Sequence, residues 1–419
     1  MNNKTIVLLT NQFPYNTETG EIYLNIEIDY LSQVYDKVII CPTDVNVDER
    51  LNLFKDKDNI KIIVKQKRSR KKNKMLYFLK SIIYFLSLNY RKMDEMLKME
   101  YSNQKNLKNK LFFYYFCIKA RDKYLLYIND IEKEIDQLDK VLIYSYRLFD
   151  IAYMGILIND KICCENKRVI SRAHGYDLYE YSNKLKYLPA RLFLYNKMDY
   201  ILPCSKDGAN YLIEDGCSNK KVIYTYLGSV KTKYIKENGG KIFNLISVSS
   251  NKPVKRVELI IEVIKMLSKK YHVKWTHIGG NVEKFIEENK CYIDQGIMNF
   301  MGPKDHLEVL NIMSNSYYDL FINLSSSEGL PQSIMEAFSY GIPCIATDVG
   351  GTREIVDESN GFLVNSDFEI YEVVDKIGKY IELDKEEKEE YRKNAYYKWN
   401  ELFNAENNAE EFAKHYVNF

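Results

Sequence analysis

The residues best suited to chemistry in this sequence are two glutamates in one strand-to-helix segment. The segment reads Asn323-Leu-Ser-Ser-Ser-Glu-Gly-Leu-Pro-Gln-Ser-Ile-Met-Glu336, in which an apolar strand leads into a small polar loop. A helix is predicted to begin at Pro331, because proline fits the first helical position. Glu328 then lies before the helix and Glu336 about a turn and a half inside it, so both carboxylates are predicted to project into one cleft.

The backbone at the same helix start is suited to binding an anion. The amides of Gly329 and Leu330 come just before the predicted helix, where unpaired N–H groups and the helix dipole attract a phosphate. Carboxylates accept hydrogen bonds from sugar hydroxyls, so two of them beside a phosphate site indicate a ligand with the shape of a nucleotide sugar. The alternative is a solvated loop acid and a helix-surface acid, which the spacing alone does not exclude.

The elements that must position this segment alternate between short apolar strands and longer helical patterns, as βαβ units of a parallel sheet do. In the first half, strands are predicted over residues 5–9, 38–41, 60–64, 141–145, 168–172 and 200–203. Helices are predicted over 21–34, 150–158 and 206–213, and Ser205 is the expected N-cap of the last one.

The same alternation restarts after a polar stretch at residues 230–241, which we interpret as a linker. Strands are predicted over 243–248, 273–278, 298–301, 320–324 and 344–347. Helices are predicted over 257–267, 306–313 and 331–340, with further helical patterns from 369 to the end. We therefore predict an α/β protein of two Rossmann-like domains, residues 1–232 and 233–419.

Length and composition agree with two domains. A chain of 419 residues, 46% hydrophobic and 28% charged, has the balance of a soluble globular protein. The 60 Lys and Arg against 58 Asp and Glu leave a net charge of +2, so no global field attracts nucleic acid. The eight cysteines include no C-x-x-C pair, so neither a disulfide framework nor a zinc site is predicted.

One local charge anomaly stands out, a basic stretch over residues 65–74 that precedes an apolar run over 75–88. The run is interrupted by Lys80 and is shorter than the about 20 residues needed to span a bilayer. The segment 65–90 is typical of contact with an anionic membrane surface, and the alternative is a solvated loop before a buried helix. The expected location is the cytoplasm, with this contact at the inner face of the cell membrane.

The strand-to-helix segment and the residues after it resemble the family 4 retaining glycosyltransferases of GT-B fold. The resemblance rests on Glu328-x7-Glu336, on Ala346-Thr-Asp-Val-Gly-Gly-Thr-Arg-Glu-Ile-Val356 and on Gly361-Phe-Leu-Val. It implies two Rossmann-like domains facing across a cleft, with C-terminal helices that pack back toward the N-terminal domain. It also implies that the nucleotide sugar binds mainly to the C-terminal domain and the acceptor mainly to the N-terminal domain.

The resemblance assigns donor-binding roles within that segment. Glu336 resembles the glutamate that holds the donor ribose, and Glu328 resembles the one that faces the hydroxyls of the donor sugar. Gly329 and Leu330, just before Pro331, would then present amides to the sugar and the diphosphate.

A basic loop at residues 248–256 resembles the family's loop whose arginine and lysine clamp the diphosphate by electrostatic stabilisation. Lys255 matches the lysine, whereas Ser250 stands at the usual arginine position. Arg256 or Lys252 is the candidate for the missing charge. Two strand-end glycines resemble positions that border the nucleobase, although ordinary turns would explain them equally: Gly279 and Gly302.

In the first half, Ser171-Arg-Ala-His174-Gly-Tyr-Asp177 resembles the family's His-Gly segment, whose histidine lies near the transferred sugar. It follows a predicted strand, and open α/β sheets bind ligands at the carboxyl ends of their strands. Gly20 occupies the place of the family's glycine-rich first loop, where a plain turn is the alternative. The predicted acceptor side comprises Tyr144, Tyr146, Arg147 and Asp177.

The implied reaction moves a sugar from a nucleoside diphosphate to a glycan or lipid-linked acceptor in cell-surface polysaccharide biosynthesis, with retention at the anomeric carbon. The predicted catalytic residues are Glu328, His174 and Lys255, and no metal or other cofactor is expected. The acidic pair Asp56 and Asp58 lies among lysines and is predicted to be surface. Two alternatives stay open, an acceptor-independent epimerase or hydrolase and a non-catalytic subunit that binds nucleotide sugars.

Overall fold

The chain divides into two units that share no strand. The computed structural model describes residues 3–15, 21–45, 54, 57–65, 79, 94–164, 166–235 and 240–416. One unit comprises Met1–Thr225 together with Ala409–Phe419, and the other comprises Tyr226–Asn408. The second unit thus begins seven residues before the predicted position 233, and the last residues of the chain belong to the first unit. The described residues do not include Gly20 or Asp56. Of the segment 65–90 they include only Lys65 and Leu79.

The first unit is built on a parallel sheet. Its strands are β1 (Lys4–Thr10), β2 (Lys37–Pro42), β3 (Ile60–Ile62), β4 (Lys140–Ser145), β5 (Asn166–Ala173) and β6 (Tyr200–Pro203). They run in the order β3-β2-β1-β4-β5-β6, so the direction of the winding reverses between β1 and β4. The helices are α1 (Leu24–Val34), α2 (Glu95–Asn103), α3 (Leu107–Glu132), α4 (Asp150–Lys161), α5 (Gly175–Leu178), α6 (Arg191–Lys197) and α7 (Lys206–Glu214).

Both faces of this sheet are covered, which is why its strands are apolar throughout rather than alternating. Val7 and Ile143 belong to the core under α3 and α4, whereas Ile6 and Leu8 belong to the core under α1. As predicted, the Ser205 side chain caps α7 and accepts a hydrogen bond of 3.0 Å from the Gly208 amide.

The end of the chain completes the core of the first unit. The Phe412 ring lies 5.6 Å from that of Tyr144 and 4.9 Å from the guanidinium of Arg172, measured between centroids and from the guanidinium carbon. Phe412 is 2% exposed. This packing brings the C-terminal residues back to the N-terminal domain, as the resemblance implied.

The second unit repeats the architecture. Its strands are β7 (Phe243–Val248), β8 (Val273–Ile278), β9 (Met298–Phe300), β10 (Leu320–Asn323), β11 (Cys344–Thr347) and β12 (Gly361–Val364), in the order β12-β11-β10-β7-β8-β9. Helices α8 to α12 are Val257–Leu267, Glu283–Glu288, Lys290–Asp294, His306–Asn315 and Gln332–Ser339. Helices α13 to α16 are Thr352–Ile355, Ile370–Glu382, Lys385–Leu402 and Ala405–Glu411. The predicted α/β fold with two Rossmann-like halves is confirmed.

Two of the differences from the sequence prediction in the second unit concern the motifs quoted above. Pro331 is the N-cap of α12 rather than its first helical residue, because its ψ of 104° is extended. Gly361-Phe-Leu-Val forms strand β12 at the sheet edge, where no strand was predicted. Within the described part of the chain, none of the helices is both long and apolar enough to cross a membrane.

Candidate functional site

The predicted donor residues of the second unit gather at the carboxyl edge of its sheet. Strands β7 and β10 are neighbours, and their following loops are 249–256 and 324–331. The winding of the sheet reverses between these two strands, and ligands of doubly wound sheets bind in the crevice at that point. A backbone hydrogen bond of 2.8 Å from the Ser326 amide to the Val254 carbonyl joins the two loops.

Lys255 and Glu328 form an ion pair across these loops. Lys255 Nζ lies 2.6 Å from Glu328 Oε1, and Asn323 Nδ2 donates to the same oxygen over 3.2 Å. The lysine side chain is 26% exposed and that of the glutamate 11%. A half-buried lysine is suited to bind a phosphate, and its partner carboxylate is suited to bind a hydroxyl.

Arg256 does not share the surroundings of its neighbour Lys255. Its backbone is left-handed, with a φ of 47°. This turn directs the guanidinium to the backbone carbonyls of Ser325, at 3.0 Å, and Ser366, at 2.6 Å. Arg256 therefore joins two loops through its hydrogen bonds. These bonds argue against a role for its guanidinium in binding the diphosphate.

Two glycines after β11 support the backbone that holds Glu328. The Gly351 amide donates to the Gly329 carbonyl over 2.7 Å. Gly350 has a φ of 53°, and a Cβ there would collide with the Glu328 carbonyl. The run Asp348-Val-Gly-Gly therefore fixes the loop before α12, and Leu330 and Pro331 follow directly in that loop.

Glu336 is buried on α12 and has a partner that the sequence prediction missed. His306 Nε2 lies 2.8 Å from Glu336 Oε1, and the glutamate side chain is 5% exposed. The carboxylate raises the pKa of His306 through this hydrogen bond, with burial acting in the opposite direction. His306 begins α11, 30 residues before Glu336, and no local pattern links the two positions.

The remaining predicted donor positions lie on neighbouring loops. The Gly279 amide donates to the Gly302 carbonyl over 3.0 Å, which joins the ends of β8 and β9. A Cβ at Gly279 would collide with the carbonyl of Ser249, so the loop after β7 packs closely here. Ser250 follows in that loop, and its carbonyl accepts a bond of 2.8 Å from the Lys252 amide.

In the first unit, His174 follows β5 at the carboxyl edge of that sheet. Its ring is 4.8 Å from the Tyr146 ring, and Nδ1 lies 3.9 Å from Asp177 Oδ1. Burial, together with the positive charges of Arg147 and Arg172, holds the pKa of His174 well below its usual value. The imidazole is therefore neutral at pH 7.

The predicted acceptor-side residues differ in their access to a ligand. Asp177 is 1% exposed and accepts a bond of 2.6 Å from the Leu148 amide, while Arg147 Nη1 lies 3.6 Å from its carboxylate. Tyr144 and Tyr146 are both 0% exposed, which argues against a direct contact between either ring and an acceptor. The side chain of Arg147 is 20% exposed and its acceptor-side role stays a prediction.

The buried Arg172, to which the sequence prediction gave no role, binds the Tyr144 hydroxyl and so explains why this tyrosine is not accessible to an acceptor. Arg172 Nε donates to Tyr144 Oη over 2.7 Å, and Nη2 lies 2.8 Å from Glu27 Oε2. Nη1 donates to Thr225 Oγ1 over 2.9 Å. This network joins β4, β5, α1 and the end of the segment after β6, so it stabilises the fold of the first unit.

Comparison with known proteins finds similarity to glycosyltransferases. Residues 232–398 match the model of the glycosyl transferases group 1 family. An O-antigen biosynthesis glycosyltransferase of Escherichia coli, WbnH, is 32% identical over 209 residues, which are 49% of this chain and 59% of that protein. A putative colanic acid biosynthesis glycosyltransferase of Salmonella typhimurium, WcaL, is 24% identical over 202 residues, covering 46% and 50%. The chain thus matches between half and about three fifths of the length of these relatives.

Solved structures extend the similarity in fold to the whole chain. A lipopolysaccharide outer core galactosyltransferase, WaaB, superposes with a TM-score of 0.68 at 14% identity and covers 98% of both chains. Anabaena HepE, solved in complex with UDP and glucose, gives a TM-score of 0.65 at 14% identity and covers 99% of both. At such identities the likeness establishes the GT-B fold alone.

Proposed function

From the premise that residues 232–398 are a domain of the group 1 glycosyl transferases, we propose that this chain is a retaining glycosyltransferase. It moves a sugar from a nucleoside diphosphate to a glycan or lipid-linked acceptor. The named relatives act in O-antigen and colanic acid biosynthesis, which supports cell-surface polysaccharide assembly as the setting. HepE binds UDP and glucose, which makes a uridine nucleotide the first donor to test.

The observation that carries the proposal is the ion pair between Lys255 and Glu328. It lies at the reversal point of the sheet, beside the loop that leads into α12. In this proposal the diphosphate of the donor binds Lys255 Nζ and the amides of Gly329 and Leu330. Glu328 then accepts hydrogen bonds from the hydroxyls of the donor sugar, so donor binding replaces part of the ion pair with contacts to the ligand.

Catalysis in this proposal consists of orientation and charge stabilisation. Negative charge grows on the leaving diphosphate, and a preorganised ammonium near that position stabilises it. The leaving phosphate accepts the proton of the acceptor hydroxyl, so no protein nucleophile is assigned. In this proposal His174 contributes as a neutral imidazole, because its lowered pKa keeps the ring uncharged.

Two further parts of the proposal concern the surroundings of the enzyme. We propose that it needs no metal ion, since Lys255 and backbone amides supply positive potential for the diphosphate. We also propose that the basic segment 65–90 holds the protein at an anionic membrane face, where lipid-linked acceptors lie. We expect turnover to persist in EDTA. We also expect the protein to co-sediment with anionic vesicles, and this co-sedimentation to be lost when the basic residues from Lys65 to Lys74 are neutralised.

The direct test is an acceptor-dependent transfer assay. The protein is incubated with UDP-, GDP-, ADP- and CMP-sugars, with and without lipid-linked and oligosaccharide acceptors, and released nucleotide is measured. Release that requires an acceptor, with a product of the same anomeric configuration as the donor by NMR, is expected. Release without an acceptor would instead indicate an epimerase or hydrolase, and binding without release a non-catalytic subunit.

A further inference from the structure

His306 and Glu336 come together from two helices that each start at the carboxyl edge of the second sheet. His306 opens α11, whose N-cap Asp305 accepts a bond of 2.8 Å from the Glu308 amide. Glu336 lies on α12, and its Oε1 is 2.8 Å from His306 Nε2. The helix start therefore fixes the backbone of His306, and the hydrogen bond fixes the carboxylate of Glu336.

The exposures of the two side chains differ in a way that matters for a ligand. Glu336 is 5% exposed, whereas the His306 ring is 25% exposed. A carboxylate at that depth needs hydrogen-bond partners, and a buried ion pair contributes little to stability compared with apolar residues of the same size. Stability alone therefore gives a weak reason for a glutamate at position 336.

The charge around His306 favours a tight contact. The charges of Glu336 and Asp305 both act on its ring, and both raise the pKa of His306. Tyr340 also faces Glu336, and burial together with that carboxylate raises the pKa of Tyr340 to about 12, so its phenol stays neutral. A carboxylate has about four acceptor positions on its two oxygens, so Glu336 can accept more than one hydrogen bond.

We propose that His306 is a positioning residue for the donor, which holds Glu336 in the orientation that accepts hydrogen bonds from the ribose hydroxyls. The inference rests on the proposed function, because it takes Glu336 as the ribose ligand. His306 acts on donor affinity through Glu336 and takes no part in the transfer step. Donor affinity falls when the ring loses its proton, because a neutral ring holds the carboxylate less firmly.

The test measures the affinity for UDP-glucose and for its 2′-deoxyribose analogue by calorimetry. The variants are His306→Phe, which removes the donor group, and His306→Gln, which keeps an N–H group. His272→Phe is the control, because His272 is an exposed histidine of the same unit. Thermal unfolding reports whether each variant folds, and His306→Gln keeps the test possible if His306→Phe does not.

We expect His306→Phe to weaken UDP-glucose binding about tenfold, the equivalent of one charge-assisted hydrogen bond, and to raise KM with kcat nearly unchanged. The loss should shrink for the 2′-deoxy analogue, which lacks a hydroxyl that Glu336 binds. His306→Gln should recover most of the affinity and remove its decline as the pH rises above the ordinary histidine pKa of about 6.5.

Equal losses for both ligands would overturn the inference, because His306 would then act on the fold rather than on ribose recognition. If Glu336→Gln weakens UDP-glucose binding and His306→Phe does not, the inference fails while the proposed function stands. If the wild-type protein binds UDP-glucose and none of the other nucleotide sugars displaces it, UDP-glucose is the correct donor for this test. If it binds none of the UDP-, GDP-, ADP- and CMP-sugars, both the inference and the proposed function fail.

Discussion

The two units place their charged groups in opposite ways on the same kind of sheet. In the second unit, the pair of Lys255 and Glu328 is partly exposed at the carboxyl edge, and its side chains retain access to a ligand. In the first unit, Arg172 and Glu27 have side chains 2% and 7% exposed, and further bonds enclose the guanidinium. Charge at a strand end thus stays partly exposed in one unit, where we propose that it binds the donor, and is enclosed within the fold in the other.

The largest effect that would test this contrast is on stability in the first unit. Arg172→Met leaves Glu27 as an unpaired buried carboxylate, and breaking such a pair costs about 3–5 kcal/mol. We expect a loss of that size in the free energy of unfolding, measured with urea. Arg353→Met is the control, because Arg353 pairs with Asp348 at the surface, and a loss within about 1 kcal/mol is expected. Similar losses of unfolding free energy in both variants would contradict a special structural role for the buried pair.

The second effect is on turnover and concerns the second unit. Lys255→Ala removes the ammonium proposed to stabilise the leaving diphosphate, and the loss of one such group lowers kcat about 10²–10³-fold. Lys265→Ala is a matched control, since Lys265 Nζ pairs with Glu262 Oε1 at 2.9 Å on a helix outside the site. Turnover should fall in the first variant and stay unchanged in the second. A Lys255→Ala enzyme with wild-type kcat would remove the lysine from the mechanism.

A third, smaller effect concerns the loop that holds Glu328. It separates the cost of a left-handed backbone from the cost of a collision with the Glu328 carbonyl. Gly350→Ala introduces a left-handed alanine whose Cβ meets the Glu328 carbonyl. Gly296 also has a positive φ, of 73°, but a Cβ there has no atom within 4 Å. Both alanine variants should lose roughly 1–3 kcal/mol of stability through backbone strain, and Gly350→Ala should lose more because its Cβ also collides with a backbone carbonyl. Only Gly350→Ala should also weaken nucleotide-sugar binding, and equal affinities in the two variants would contradict this account.

The smallest effect concerns acid stability. Because burial lowers the pKa of His174 in the folded state, the unfolded chain binds this proton more readily. Stability from this residue is therefore full above about pH 6.5 and falls as the pH drops below it, by at most about 1.4 kcal/mol per pH unit. His174→Phe should flatten the decline between pH 6.5 and 5, measured by urea unfolding. His272→Phe, at an exposed position, should leave it unchanged, and an unaltered slope in His174→Phe would show that the ring is accessible to protons when folded.

Much of the fold could be predicted because apolar runs mark buried parallel strands. Strands β6, β7, β8 and β11 and helix α8 have the predicted bounds. Strand β12 was missed because it has only four residues and begins with glycine, which is depleted in strands. The resemblance implied that the end of the chain returns to the first unit, but the residues where it joins could not be predicted, because Phe412 packs against Arg172, which is distant along the chain.

The site was predictable only where the chemistry is local. Glu328 and Lys255 were identified through motifs, and the structure places their side chains in contact. The sequence left Arg256 as a candidate for the missing charge, because the left-handed backbone that turns this arginine toward carbonyl groups is a property of the folded loop. The pairing of His306 with Glu336 likewise depends on two helix starts that meet only in the folded unit.

The most direct test of the central claim, that the carboxyl edge of the second unit binds a nucleoside diphosphate sugar, is a thermal-shift panel. Wild-type protein, Lys255→Ala and Lys265→Ala are each heated with UDP-, GDP-, ADP- and CMP-sugars, with and without Mg²⁺. One nucleoside diphosphate sugar should raise the Tm of the wild-type and Lys265→Ala proteins without requiring Mg²⁺, and should raise that of Lys255→Ala much less. No stabilisation by any donor, or equal stabilisation of all three proteins, would contradict the account.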